Sequence, residues 1–138
     1  MTESVLRVAY DVALDALDRW VQRGAVPIRV PRIETRPNGA SGFTVVTDDH
    51  GNARGGLRTP YLDVPTARFM TTSPGPGNCP EIGHVEPFDA GRLTMLYGNF
   101  DGYVAKVRRS IAQLTARHVL TASDATLLTR ELEQQRPH

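Results

Sequence analysis

Cysteine is almost missing from this chain. Cys79 is the single one among 138 residues, so no internal disulfide is possible and a reducing compartment is expected. Aromatic residues make up only 7%, with one tryptophan, Trp20. Charge of one sign is not in excess either. Sixteen Lys and Arg face fifteen Asp and Glu, for a net charge of +1. That balance argues against nucleic acid as a partner, because such binders carry a basic stripe. No apolar run approaches the roughly 20 residues that cross a bilayer, so no membrane span is expected. The start, Met1-Thr2-Glu3-Ser4, carries early acid and lacks a basic region followed by an apolar one, so no signal peptide is expected. A soluble, cytoplasmic protein is the expectation. What remains is ordinary globular material, 40% hydrophobic and 22% charged. The length suits one domain over residues 1–138.

That domain reads in three stretches. Residues 1–24 form a leading helix, with Val5, Val8, Val12, Leu17 and Trp20 taken as one apolar stripe and Trp20 as its core anchor. Gly24 ends it, and Pro27 and Pro31 favour an extended exit. Residues 28–87 are irregular and rich in Pro and Gly. Phe43–Thr47 has the β-branched content of a strand, Asp48-Asp49-His50-Gly51-Asn52 is turn chemistry, and Ala53–Arg58 is the candidate partner strand. Thr71–Pro80 reads as a long Pro/Gly-rich loop. Residues 88–138 are helical. Asp89 caps a helix over Ala90–Tyr97, Asn99 caps the next, and Thr121 with Asp124 resembles a capping box for a last helix near Ala122–Gln135. The predicted class is α+β and mostly helical: three to four helices, one β-hairpin and a long loop, with no parallel sheet.

The chemistry is thin. None of the five serines lies in a G-x-S-x-G elbow, the strand-turn-helix context that exposes a hydrolase nucleophile. No catalytic residue is expected on that ground. The alternative is thiol or acid/base chemistry among Cys79, His84 and Asp89, with Asn78 beside the thiol. The local spacing of Cys79 and His84 equally suits a loop cysteine near an exposed histidine. A zinc site needs a third ligand, His50 or Asp49, that spacing does not bring near, so no metal is expected. Gly75-Pro76-Gly77 lacks the Lys and following helix of a phosphate cradle, and no cofactor is expected. The small basic cluster Lys106, Arg108 and Arg109 around Val107 is expected to be a solvated helix face rather than a nucleic-acid patch. Arg58 and Asp63 either pair to pin a loop or, with Tyr61, line a cleft for an acidic or acyl ligand. Pro60 between them is expected to hold the backbone extended.

Two blocks carry a resemblance. One is Asp48-Asp49-His50-Gly51-Asn52-Ala53-Arg54-Gly55-Gly56-Leu57-Arg58-Thr59-Pro60-Tyr61-Leu62-Asp63-Val64-Pro65. The other runs from Pro87-Phe88-Asp89-Ala90-Gly91-Arg92-Leu93 through Leu96-Tyr97 to Tyr103-Val104-Ala105-Lys106-Val107. In this order, behind a helix containing Ala16-Leu17-Asp18-Arg19-Trp20-Val21, they resemble the C-terminal region of a family of large bacterial alpha/beta-hydrolase-domain proteins. The resemblance spans about Tyr10 to Glu133. It implies ester or acyl hydrolysis through Ser, acid and His, but those residues align before the counterpart of Met1, and none is carried onto this chain. The chain departs from the family at Gly83-His84-Val85, where the family tends to have a small hydroxyl residue after the glycine.

An accessory layer of this kind has a surface that a sheet would cover. The expectation is therefore an accessory or partner-binding domain. Its partner would be a second copy or a separately encoded hydrolase portion, met through the first helix.

Overall fold

The computed structural model describes residues 2–39, 42–77 and 83–134, with side chains from Arg7 onward. Its elements in chain order are α1 (Thr2–Arg23), β1 (Thr35–Asn38), β2 (Gly42–Val45), α2 (Pro60–Asp63), β3 (Ala67–Met70), β4 (His84–Pro87), α3 (Ala90–Tyr97), α4 (Phe100–Ala116) and α5 (Ala122–Gln134). The class is α+β and mostly helical, and both strand pairs are antiparallel. Helices number five among the described residues, because a single turn, α2, adds to the four that periodicity marks. No helix among them is long and apolar enough to cross a membrane.

The chain divides into two compact units. The first comprises Met1–Val30, Leu57–Val64 and Asn99–His138. Its core gathers Val8 and Val12 from α1, Val107, Ile111 and Leu114 from α4, and Leu128 and Leu132 from α5. Helices α4 and α5 start where the sequence supplies a cap. The Asn99 side chain accepts from the Gly102 amide at 2.9 Å, and the Thr121 hydroxyl accepts from the Asp124 amide at 3.0 Å. The Thr121 hydroxyl in turn donates to the buried Asp124 carboxylate at 2.7 Å. The end of α4 is closed by two backbone bonds, His118 N to Thr115 O at 3.0 Å and Val119 N to Leu114 O at 2.9 Å. That pattern needs a left-handed residue, and His118 supplies it at φ +56°. Val119 and Leu120 then plug into the core.

Two expectations are corrected in this unit. The stripe read along α1 is two faces. At about 100° per residue, Val8 and Val12 lie roughly opposite Leu17 and well away from Trp20. Val8 and Val12 are buried, whereas Trp20 is 52% exposed and anchors no core. Nor does Pro60 keep the chain extended. It opens α2, a position where its missing amide costs nothing and its fixed φ fits a helix. The extended residue is the one before it, Thr59, at φ −89° and ψ 168°.

The second unit comprises Pro31–Gly56 and Pro65–Gly98. Here β1 pairs with β2 from Thr35↔Val45 to Asn38↔Gly42, and β3 pairs with β4 from Ala67↔Pro87 to Met70↔His84. The expected return of Ala53–Arg58 along Phe43–Thr47 is reduced to one bridge, Thr47↔Ala53. The strand finds its ladder upstream in β1. The chain then leaves through Gly55 and Gly56, both at positive φ, and a Cβ on Gly55 would sit 2.0 Å from the Arg32 carbonyl oxygen. The expected turn is present. The Asp48 carboxylate accepts from the amides of His50 at 3.0 Å and Asn52 at 2.9 Å.

Asn52 is the polar centre of this unit and is fully buried. Its amide nitrogen donates to the Ala67 carbonyl at 3.1 Å, and its oxygen accepts from the Phe69 amide at 2.8 Å. One side chain thus stands in for a neighbouring strand along β3. Asp89 caps α3 by accepting from the Arg92 amide at 2.8 Å, and the Tyr97 hydroxyl at its far end donates to the Pro65 carbonyl at 2.6 Å.

Candidate functional site

Arg58, Tyr61 and Asp63 come together around the single turn of α2. The Arg58 Nε lies 2.9 Å from Asp63 Oδ1, and its Nη2 donates to the Leu62 carbonyl at 2.7 Å. The other Asp63 oxygen faces the Ser110 hydroxyl of α4 at 3.4 Å. The guanidinium and carboxylate therefore satisfy one another and clamp the turn. Tyr61 points elsewhere, its hydroxyl donating to Glu131 of α5 at 2.9 Å. It lines a cavity of about 30 Å³ with Pro60, Tyr103, Val107, Leu128, Glu131 and Leu132. Burial there pushes the Tyr103 phenol above its ordinary pKa. Arg58 and Asp63 do not line it, so the three residues form a pin and a packed phenol side by side.

His84 opens β4, and its ring meets three groups. The Ser73 hydroxyl and the Thr72 carbonyl both lie 3.0 Å from Nδ1, and Glu86 Oε1 lies 3.3 Å from Nε2. A serine, an imidazole and a carboxylate in a row have the composition of a nucleophilic triad. The proton on the ring decides what the row can do. The Thr72 carbonyl at Nδ1 and the Glu86 carboxylate at Nε2 both only accept, whereas the Ser73 hydroxyl can donate to Nδ1 or accept from it. With the proton on Nε2, Nδ1 accepts from Ser73 as a general base would; with it on Nδ1, the ring donates to Thr72 and does not. Glu86 also faces Arg68 Nη1 at 3.5 Å. The arrangement ties the loop carrying Ser73 to β4.

The acid beside His84 is therefore Glu86. Asp89 is engaged in its helix cap. Glu86 was missed by sequence reasoning, although the signal was there: two residues apart on a strand share a face. Ser73 carried no such signal, because loop closure brings it in from eleven residues away. Cys79 and Asn78 lie outside the described residues. Near the 48–52 turn, Phe88 stacks under the Arg92 guanidinium at 3.9 Å from ring centre, with the His50 ring 6.3 Å away on a tilt. Among the described residues no three His, Cys, Asp or Glu side chains gather as a metal-ligand set.

One further surface stands out. Tyr10, Leu14, Leu17 and Val21 of α1 recur at steps of four, three and four, so they share one face. They are 66%, 62%, 50% and 76% exposed. The face lies roughly opposite the buried Val8 and Val12. The family whose model matches this chain is described as alpha/beta hydrolase domain, and the match covers residues 1–130. No curated protein and no solved structure matches the chain.

Proposed function

Because the chain belongs to the alpha/beta hydrolase domain family, we propose that it serves as an accessory, partner-binding part of hydrolase machinery and is not itself the catalyst. The observation that carries this reading is the exposed apolar face of α1. Large side chains at that spacing, left open opposite a buried face, are the usual mark of an interface. The polar candidates support it from the other side. Arg58 and Asp63 hold one another, Asp89 caps a helix, and the His84 ring ties the Thr72–Ser73 loop to β4. The scarcity of cysteine and the absence of a long apolar run suit a cytoplasmic setting. The experiment is an assay of the purified chain on short-chain p-nitrophenyl esters, with labelling by a serine-directed fluorophosphonate. Neither turnover nor labelling is expected, and labelling at Ser73 would refute the reading.

A second reading rests on one observation, the Ser73–His84–Glu86 row. In it His84 performs acid/base chemistry, with Cys79 a neighbour in sequence. It requires that His84→Ala abolish an activity while leaving the melting temperature unchanged. A loss of stability without any activity to lose would return His84 to its role as a tie.

A further inference from the structure

An asparagine followed by glycine is a chemically weak pair, because the glycine nitrogen can reach the side-chain amide carbon with no side chain of its own in the way. The chain has four asparagines, and only Asn38 precedes a glycine. The fold sorts them further. Asn52 is fully buried, and both polar atoms of its amide are held by β3. Asn99 gives its side-chain oxygen to the Gly102 amide, and the bulky Phe100 follows it at the start of α4. The same bond engages the glycine of the one Asp-Gly pair, Asp101-Gly102. Asn78 lies outside the described residues. Asn38 is held by none of these means. It is the last residue of β1, a strand exposed at all four positions. Among the described residues no hydrogen bond is made by the Asn38 side chain or by the Gly39 amide. Gly39 stands at φ +72°, with nothing within 4 Å of where its Cβ would be. The pair Asn38↔Gly42 is the last of its ladder, and ladder ends open at almost no cost in free energy. Once open, Asn38 can turn out of its extended conformation and bring its side-chain carbon to the Gly39 nitrogen.

We propose that Asn38-Gly39 is a self-modification site, at which the folded chain deamidates with water as the only reactant. The Gly39 nitrogen gives up its proton and bonds to Asn38 Cγ. The bond from Cγ to the side-chain nitrogen breaks, and that nitrogen leaves as ammonia. Water then opens the resulting imide ring at either carbonyl. Opening at Cγ leaves aspartate. Opening at the original main-chain carbon leaves isoaspartate, in which the chain runs through the former side chain. Nothing is oxidised or reduced in either step. Both products take the formal net charge from +1 to zero. Isoaspartate also adds one carbon to the main chain and removes the Asn38 carbonyl from it. That carbonyl faces Gly42 so closely that a Cβ there would lie 2.8 Å from its oxygen. The Asn38↔Gly42 pair is therefore lost, and β1 and β2 are joined by a longer and more acidic turn.

The test incubates the full chain at mildly alkaline pH, folded in buffer and unfolded in guanidinium chloride, and follows both by tryptic digestion and mass spectrometry. Trypsin does not cut between Arg36 and Pro37, so one peptide, Ile33–Arg54, holds both Asn38 and Asn52 and carries its own reference. In the folded chain conversion is expected at Asn38, as isoaspartate and aspartate told apart by electron-transfer fragmentation, while Asn52 and Asn99 stay intact. A more acidic species should build up in step on ion exchange. The folded rate at Asn38 should lie within about tenfold of the unfolded rate, because the end of the ladder opens freely. Asn38→Gln, an exposed change with a longer side chain that must close a larger ring, should lose both the conversion and the acidic species. A folded rate more than about tenfold below the unfolded one would overturn the proposal, since the hairpin would then protect the pair. So would conversion that begins at Asn52 or Asn99, no conversion at Asn38 in either state, or an acidic species that persists in Asn38→Gln.

Discussion

The Arg58 guanidinium grips the Asp63 carboxylate at 2.9 Å across the one turn of α2, while its second nitrogen holds the Leu62 carbonyl at 2.7 Å. Both side chains are about two-thirds buried, so solvent screens the pair less than a surface ion pair. The planar fork of arginine serves two acceptors at once, which the point charge of lysine does not reproduce. Arg58→Ala should therefore cost about 1–2 kcal/mol, read as a lower melting temperature. Arg58→Lys should recover less than half of it. An unchanged melting temperature with loss of binding to a small carboxylic acid would revive the cleft.

Asn52 should be the costlier site. Asn52→Ala leaves the Ala67 carbonyl and the Phe69 amide of β3 without their partner in a buried place. Each such orphan costs about 1–3 kcal/mol, so a loss of about 3 kcal/mol in urea unfolding is expected. Asn52→Asp is nearly isosteric but turns the donor facing Ala67 into an acceptor, and it should be no milder. A loss under about 0.5 kcal/mol, within the range of a surface substitution, would mean that other groups bind β3.

The helices after Pro87 were legible because their signals are local. Asp89, Asn99 and Thr121 each sit one step before an apolar period, and each caps the helix it precedes. Strand pairing was not local. Phe43–Thr47 was given a downstream partner, Ala53–Arg58, but the choice fell to β1, which contains Pro37 and lacks a β-branched run. No pattern within either partner decides that contest. The route of the chain at Gly55 does, through the closeness of the Arg32 carbonyl. On α1 the residue types were read correctly but their phase was not, because residues spread over a span of sixteen were joined into one stripe. At the candidate sites the Arg58–Asp63 pairing was legible from spacing. The Ser73–His84–Glu86 row was not, since it depends on how a loop closes.

Tyr103 gives a pH signature. Burial raises its pKa in the folded state above the ordinary value of 10.0. The unfolded chain thus releases this proton at lower pH than the folded chain. The contribution is fully present below pH 10 and is lost as pH rises through the folded value. Tyr103→Phe cannot ionise, so its melting temperature should fall less steeply than wild type above about pH 10. The comparison removes the three other tyrosines and the single lysine, Lys106, which both proteins share. Parallel slopes from pH 9 to 11 would show that the phenol gains access to solvent in the folded chain.

His118 should be replaceable with profit. It holds the left-handed turn that lets the His118 and Val119 amides close the end of α4. A side chain at positive φ costs about 1–2 kcal/mol, and glycine removes that cost at the expense of a more flexible unfolded chain. The side chain is exposed, and no hydrogen bond or ion pair of its ring is among the contacts of the described residues, so little is lost with it. His118→Gly should then stabilise the chain by about 0.5–1 kcal/mol. His118→Val should do the reverse, because a β-branched residue tolerates that backbone least. Equal stabilities for the glycine and valine variants in thermal unfolding would mean that α4 ends by another route in solution.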